Sequence, residues 1–308
     1  MNFVAPKREE INPFMQLLLL LAYAIAGSLL FGLVAIIIVV IIYGLGIVSN
    51  LDLLVAGDPR YITGLKIIQI FSSIGTFIVP PIVLAFTERK KIENFYSFKK
   101  PQLILLLIVF VIIIASMPFM EWTVLVNQKM VLPDFLKGLE RWMKQKEDAI
   151  LKLTIQLITA RSNFDFIVNL IMIAVIPAIG EELMFRGGVQ RSLNKAFNNP
   201  HVAIWLTAII FSAIHMQFYG FIPRMLLGAG FGYLYYFSGS LWYAMLAHFI
   251  NNAYAVCAAF YMQQHNMPLD KADEPIGFPW YGYLISAIIT IALFKFFKDS
   301  AERERKLD

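Results

Sequence analysis

Three polar groups stand inside apolar stretches of this chain. They are Ile-Gly-Glu181-Glu182-Leu-Met-Phe-Arg186-Gly, Phe211-Ser-Ala-Ile-His215 and His248-Phe-Ile-Asn-Asn252. Carboxylates, imidazoles and an arginine are the side chains of general acid–base catalysis, metal ligation and oxyanion stabilisation. Ionisable groups at membrane depth cost several kcal/mol unless they are partnered or wet, so they are functional-site candidates by default. Adjacent helical residues point about 100° apart. Glu181 and Glu182 therefore cannot face one point, whereas Glu182 and Arg186 share a face. One carboxylate is then free to address a water or metal while the other pairs with Arg186. Each residue also has a plainer reading: an ion-pair network at a helix end, hydrogen-bonded packing histidines, or an interhelical amide tether at Asn251 or Asn252.

The elements that must position these groups are membrane helices. Of 308 residues, 59% are hydrophobic and 15% charged, against the roughly 25% charged expected of soluble domains. Mean hydropathy is +0.67. The expected fold class is all-α, a polytopic helix bundle. Runs near the ~20 residues needed to cross a bilayer give eight expected spans: Pro13–Ile47, Thr63–Thr87, Leu103–Val126, Phe164–Phe197, His201–Gln217, Phe221–Phe237, Leu241–Met262 and Trp280–Phe297. The first run exceeds one perpendicular helix and suits either a tilted helix or a helix with a re-entrant piece. It is also too long for a cleavable signal peptide and is expected to be a retained span. The whole chain, 1–308, is expected to form one integral membrane domain, with 127–163 as an amphipathic extramembrane segment in which Phe135, Leu136, Leu139, Trp142 and Met143 recur at helical spacing.

The net charge of +5 is not that of a nucleic-acid binder, because Lys and Arg cluster in loops and tails. Lys7, Arg8, Arg89 to Lys100, Arg191, Lys195, Lys298, Arg303, Arg305 and Lys306 fall on one side of an eight-span chain. The excess of short-loop Lys and Arg places that side, with both termini, in the cytoplasm of a bacterial inner (plasma) membrane protein. The opposite loops fit less uniformly: Asp270, Asp273 and Glu274 are acidic, but Asn127 to Asn163 carries seven Lys or Arg. The single cysteine, Cys257, cannot form an intrachain disulfide and reads as a small core residue.

The polar groups can meet. Asn198, Asn199 and Pro200 break the chain between the fourth and fifth spans, so these run antiparallel. Glu182 lies 17 residues before Asn199 and His215 16 after it, both about 25 Å of helix from the turn. His248 and Asn252 share a helical face. Gly228-Ala-Gly-Phe-Gly232 offers a small-residue surface that would let neighbouring helices close up and bring them near the sixth span.

The three motifs resemble those of the CPBP intramembrane endopeptidases, the CAAX-processing, bacteriocin-processing and abortive-infection family that includes the Ras-converting CAAX endopeptidases. The family pattern Glu-Glu-x-x-x-Arg, Phe-x-x-x-His and His-x-x-x-Asn is matched at Glu181, Glu182, Arg186, Phe211, His215, His248 and Asn252, over about 164–262. The resemblance implies a catalytic core of the fourth, fifth and seventh spans and a peptide or protein substrate at the lipid bilayer. It implies that Glu181 activates water with help from His215, that His248 and Asn252 stabilise the oxyanion, and that Glu182 and Arg186 support the site. Members are also described as metalloproteases, which would give Glu181, His215 and His248 as ligands of Zn²⁺; the ligand types suit both that and metal-free glutamate catalysis. His-Glu-x-x-His, a membrane aspartyl dyad and Gly-x-Ser-Gly are absent. The alternatives of other classes are a non-catalytic membrane immunity or binding protein on the same scaffold and, less favoured for want of inverted repeats, a transporter.

Overall fold

The computed structural model describes residues 10–269 and 275–304. Lys7, Arg8, Asp270, Asp273, Glu274, Arg305 and Lys306, on which part of the charge argument rests, lie outside them. The regular elements of the described residues are all helices, and the long ones are α1 (Pro13–Tyr43), α2 (Ile62–Thr87), α3 (Leu103–Gln128), α4 (Lys137–Ile158), α5 (Asn163–Phe197), α6 (Pro200–Ala213), α7 (Phe221–Ser238), α8 (Leu241–Gln264) and α9 (Trp280–Glu304). This is a polytopic helix bundle. Each expected span has a helix, but among the described residues only α1, α2, α3, α5 and α9 are both long and apolar enough to cross a membrane. Helix α6 has 14 residues, about 21 Å, while α7 and α8 carry the polar residues that build the site.

Three expectations are corrected in detail. The first run is one 31-residue helix that stops at Gly44, where φ is +77°, followed by a short 3₁₀ turn. The fifth span ends at Ala213 rather than Gln217, so His215 sits in the turn between α6 and α7, ahead of Met216 at φ +54°. Cys257 is exposed on the outer surface of α8, not in the core.

Polar contacts define the two ends of the bundle. At one end, Glu10 reaches Arg191 at 2.8 Å and Lys195, Glu88 accepts from Gln16 Nε2 at 2.6 Å, Ser240 Oγ donates to the Lys99 carbonyl at 2.9 Å, and Gln102 Nε2 donates to Glu304 at 2.7 Å. The segments before α1, between α2 and α3, between α5 and α6, between α7 and α8, and at the end of α9 therefore lie together, as an even span count requires. At the other end α4 is a helix with an apolar and a polar side, entered through the turn that carries Phe135. Phe135 (83% exposed), Leu139 and Trp142 stay outside, a face fit for lipid, while Leu153 and Leu157 pack on Val39, Leu54 and Leu65.

Prolines shape the helices around the site. Helix α2 contains a π segment, Ile74–Ile78, just before Pro80 and Pro81, and α5 contains another, Leu170–Val175, just before Pro177. A proline cannot supply the i→i−4 hydrogen bond and crowds that carbonyl, and π turns absorb the misfit. Beside the first of these, Gly27 of α1 meets Gly75 of α2 so closely that a Cβ on either would run into the other's carbonyl.

Candidate active site

Glu181 and Glu182 end the α-helical stretch Ile176–Glu182 of α5, Leu183–Gln190 continue as a π segment, and Arg191–Phe197 return to α-helix. Local π winding is common where a helix aims functional side chains. Glu182 and Arg186 still share a face: Arg186 Nη1 donates to Glu182 Oε1 at 2.7 Å, with both side chains 0% exposed. Arg186 Nη2 donates to the Gly228 carbonyl of α7 at 2.8 Å, and the guanidinium lies over the Phe211 and Phe231 rings at 4.8 and 5.4 Å. A buried pair of this kind persists only when its geometry and extra hydrogen bonds offset desolvation. Here the Gly228 oxygen and the aromatic faces supply part of that compensation, while Glu182 Oε2 and Arg186 Nε are buried without a hydrogen-bond partner.

His248 joins the two carboxylates. Its Nδ1 lies 2.7 Å from Glu182 Oε1, and its Nε2 lies 3.8 Å from Glu181 Oε2. The acceptor at Nδ1 is a carboxylate, so Nδ1 carries the proton and donates. Phe231 stacks on the imidazole with ring centroids 5.3 Å apart. The second distance is too long for a direct hydrogen bond, and Glu181, with 13% side-chain exposure against none for Glu182, is the carboxylate open to a small molecule. Of the two glutamates, Glu182 is the one paired with Arg186.

His215 is fixed by the residue four before it. Its Nδ1 donates to the Phe211 carbonyl at 2.7 Å, one of the orphan carbonyls of the α6 C-terminus. A carbonyl can only accept, so Nδ1 is protonated and neutral His215 keeps its lone pair on Nε2. The Phe211 ring stands between His215 and His248, with centroids 5.1 and 6.1 Å away. The Phe-x-x-x-His spacing thus has a physical basis in a single i, i−4 bond.

Asn252 points elsewhere than expected for an oxyanion donor. Its Nδ2 donates to the Ile173 carbonyl at 2.9 Å, and Asn251 Nδ2 donates to its Oδ1 at 3.1 Å. Ile173 is four residues before Pro177, so its oxygen lacks the usual helical donor. The small face of α7 also has a different partner: Gly228 packs on Ala208 and Phe211, and Gly232 on Gln190 and Ile204, so it admits α6 and α5, while α8 reaches the site through Phe231.

Sequence reasoning overlooked Arg224, in the first turn of α7. It is half-buried, hydrogen-bonded to Gln217, and electrostatically coupled to Glu181 and to Glu147 of α4. A lone cation within the apolar run Phe221–Phe237 was the available signal. Glu147 accepts from the Tyr219 N–H at 3.1 Å, and Asn127 of α3 bonds both the Phe218 carbonyl and the Ile222 N–H, so α3 and α4 together hold the turn that carries His215. Burial raises the Glu147 pKa, against the opposing effects of that backbone bond and Arg224.

A zinc site would need three converging donors. Among the described residues no group of three His, Cys, Asp or Glu side chains has the arrangement of a metal site. Glu181 and His248 stand together without His215 as a third ligand, so the residues do not fit the metal reading.

Fold and site define a multi-pass helical protein with a polar carboxylate–imidazole centre at membrane depth. Residues 163–254, which hold all three motifs, match the family described as type II CAAX prenyl endopeptidase Rce1-like. The resemblance to the CPBP intramembrane proteases is thereby borne out for this segment. The uncharacterized protein YpbD of Bacillus subtilis (strain 168) is 28% identical over 112 residues, 35% of this chain and 53% of that protein, so the chain spans about half the length of this relative. No solved structure matches.

Proposed function

We propose that the chain is a membrane-embedded endopeptidase that hydrolyses a peptide bond of a membrane-associated peptide or protein, with both termini on the cytoplasmic side of a bacterial inner membrane. The observation that carries this reading is the pairing pattern around His248. Arg186 neutralises Glu182, Glu182 holds His248 Nδ1, and Glu181 is left 3.8 Å from His248 Nε2 with 13% of its side chain exposed. Glu181 takes a proton from a water as the oxygen attacks the scissile carbonyl, and returns it to the leaving nitrogen as the C–N bond breaks. His248, oriented by Glu182, presents Nε2 toward the developing oxyanion when protonated. His215 adds a second Nε2 for proton traffic. Glu182 and Arg186 are positioning residues, and Asn252 holds α8 against the bent α5. The polar centre lies about 24 Å of helix from the Phe197 end of α5, at a depth suited to a substrate that enters from lipid.

The test is hydrolysis by purified full-length protein in lipid nanodiscs of peptides bearing or lacking a prenylated cysteine near the C-terminus, read by mass spectrometry. Cleavage by wild type and none by Glu181→Gln is expected, with no loss on metal chelation. Equal turnover by Glu181→Gln would sink the mechanism, and activity that a chelator removes and Zn²⁺ restores would replace it with metal-bound water.

A further inference from the structure

Helix α7 carries Arg224, Gly228 and Phe231 at i, i+4 and i+7, one helical face. Two of these positions are engaged: the Gly228 carbonyl accepts from Arg186, and Phe231 stacks on His248. Arg224 stands one turn nearer the α6–α7 turn, about 6 Å along the axis from Gly228. Its charge couples to Glu181 and Glu147, yet among the described residues it makes no ion pair within 4.0 Å. One guanidinium nitrogen bonds Gln217; the other, Nη1, is shielded from solvent and has no partner.

The neighbouring carboxylates are held by other groups, Glu147 by the Tyr219 N–H. Glu182 answers Arg186 at 2.7 Å, and Glu181 faces His248. A half-buried guanidinium with a shielded, unfilled N–H is costly in a poorly solvated site unless an anion reaches it. The planar fork of arginine matches a carboxylate with two parallel hydrogen bonds. Resting on the peptidase reading of this site, we propose that Arg224 is the receptor for a carboxylate of the substrate, orienting the peptide so that its scissile bond comes to Glu181. A peptide can offer that group as its free C-terminus or as an Asp or Glu side chain.

Binding separates this inference from catalysis. The probe is a fluorescein-labelled decapeptide ending in four apolar residues, made with a free C-terminal carboxylate, with a C-terminal carboxamide, or with a carboxamide and Asp at the last position. Affinity is read by anisotropy on full-length Glu181→Gln in nanodiscs, which cannot turn the peptide over. The free acid should bind at least about tenfold more tightly than the plain amide, the scale of one charge-assisted pair; rescue by the Asp peptide would assign the side-chain source, and no rescue the C-terminus. Adding Arg224→Gln should remove the preference while leaving amide binding unchanged, and Arg224→Lys, which keeps the charge but not the fork, should retain part of it. Equal affinity for acid and amide, a preference that survives Arg224→Gln, or equal weakening of both peptides by that variant would overturn the proposal. A charge preference that persists in a protein whose wild type cleaves no peptide would instead refute the catalytic reading alone.

Discussion

Asn252 Nδ2 donates at 2.9 Å to the carbonyl oxygen of Ile173, four residues before Pro177, which has no N–H to give it. One amide thus satisfies a polar group that a buried helix bend would otherwise strand, and in doing so clamps α8 to α5 beside the glutamates. Asn252→Ala should destabilise the fold by about 1–3 kcal/mol, the usual cost of an orphaned buried acceptor. In a Pro177→Ala background the new N–H can serve that oxygen, so the same substitution should cost much less. A double-mutant cycle on thermal unfolding in detergent reads the coupling; additive effects would refute this account of Asn252.

The two glutamates should fail differently. Glu181→Gln is expected to abolish hydrolysis and leave a folded protein, because Glu181 makes no short contact that amide chemistry would break. Glu182→Ala strands Arg186 and His248 in a fully buried position. Breaking one partner of such a pair costs about 3–5 kcal/mol, so this variant should lose thermal stability as well as activity. Matching stabilities for the two variants would refute the division.

The tether of Glu10 to the α5 terminus should be acid-resistant. Burial pushes the Glu10 pKa up, but the hydrogen bonds and charges of Lys195 and Arg191 outweigh it and hold the group at about 2, below its ordinary value of 4.5. A depressed carboxylate contributes stability that is fully present above the unfolded value and is lost as pH falls through the folded one. Above about 4.5 the backbone around Glu10 should stay protected in intrinsic-rate-corrected hydrogen exchange, with release as pH falls from there toward 2. Glu10→Gln should be less protected at neutral pH and flat across that window; a wild-type profile as flat as the variant's would contradict the tether.

Side-specific labelling checks the orientation. In a Cys257→Ser background, Arg89→Cys should be shielded from an impermeant thiol reagent in intact spheroplasts and Lys129→Cys labelled, because these residues lie at opposite ends of the bundle. Lys7→Cys and Lys306→Cys should behave like Arg89→Cys. The reverse pattern would invert the assignment.

The sequence alone determined the class of fold, because apolar runs near the bilayer thickness and backbone hydrogen bonding in lipid leave little besides helices. It also determined the pairing of Glu182 with Arg186, since residues four apart on a helix share a face. Tertiary structure alone decided where the remaining groups point. The tautomer of His248 depends on a carboxylate 66 residues away, the direction of Asn252 on a carbonyl freed by a proline in another helix, and the place of Arg224 on the packing of α7 against α5 and α6. Helical periodicity fixes which residues of one helix share a face; it carries no information about which neighbouring helix that face will meet, and in this site the partners come from four helices, α5 to α8.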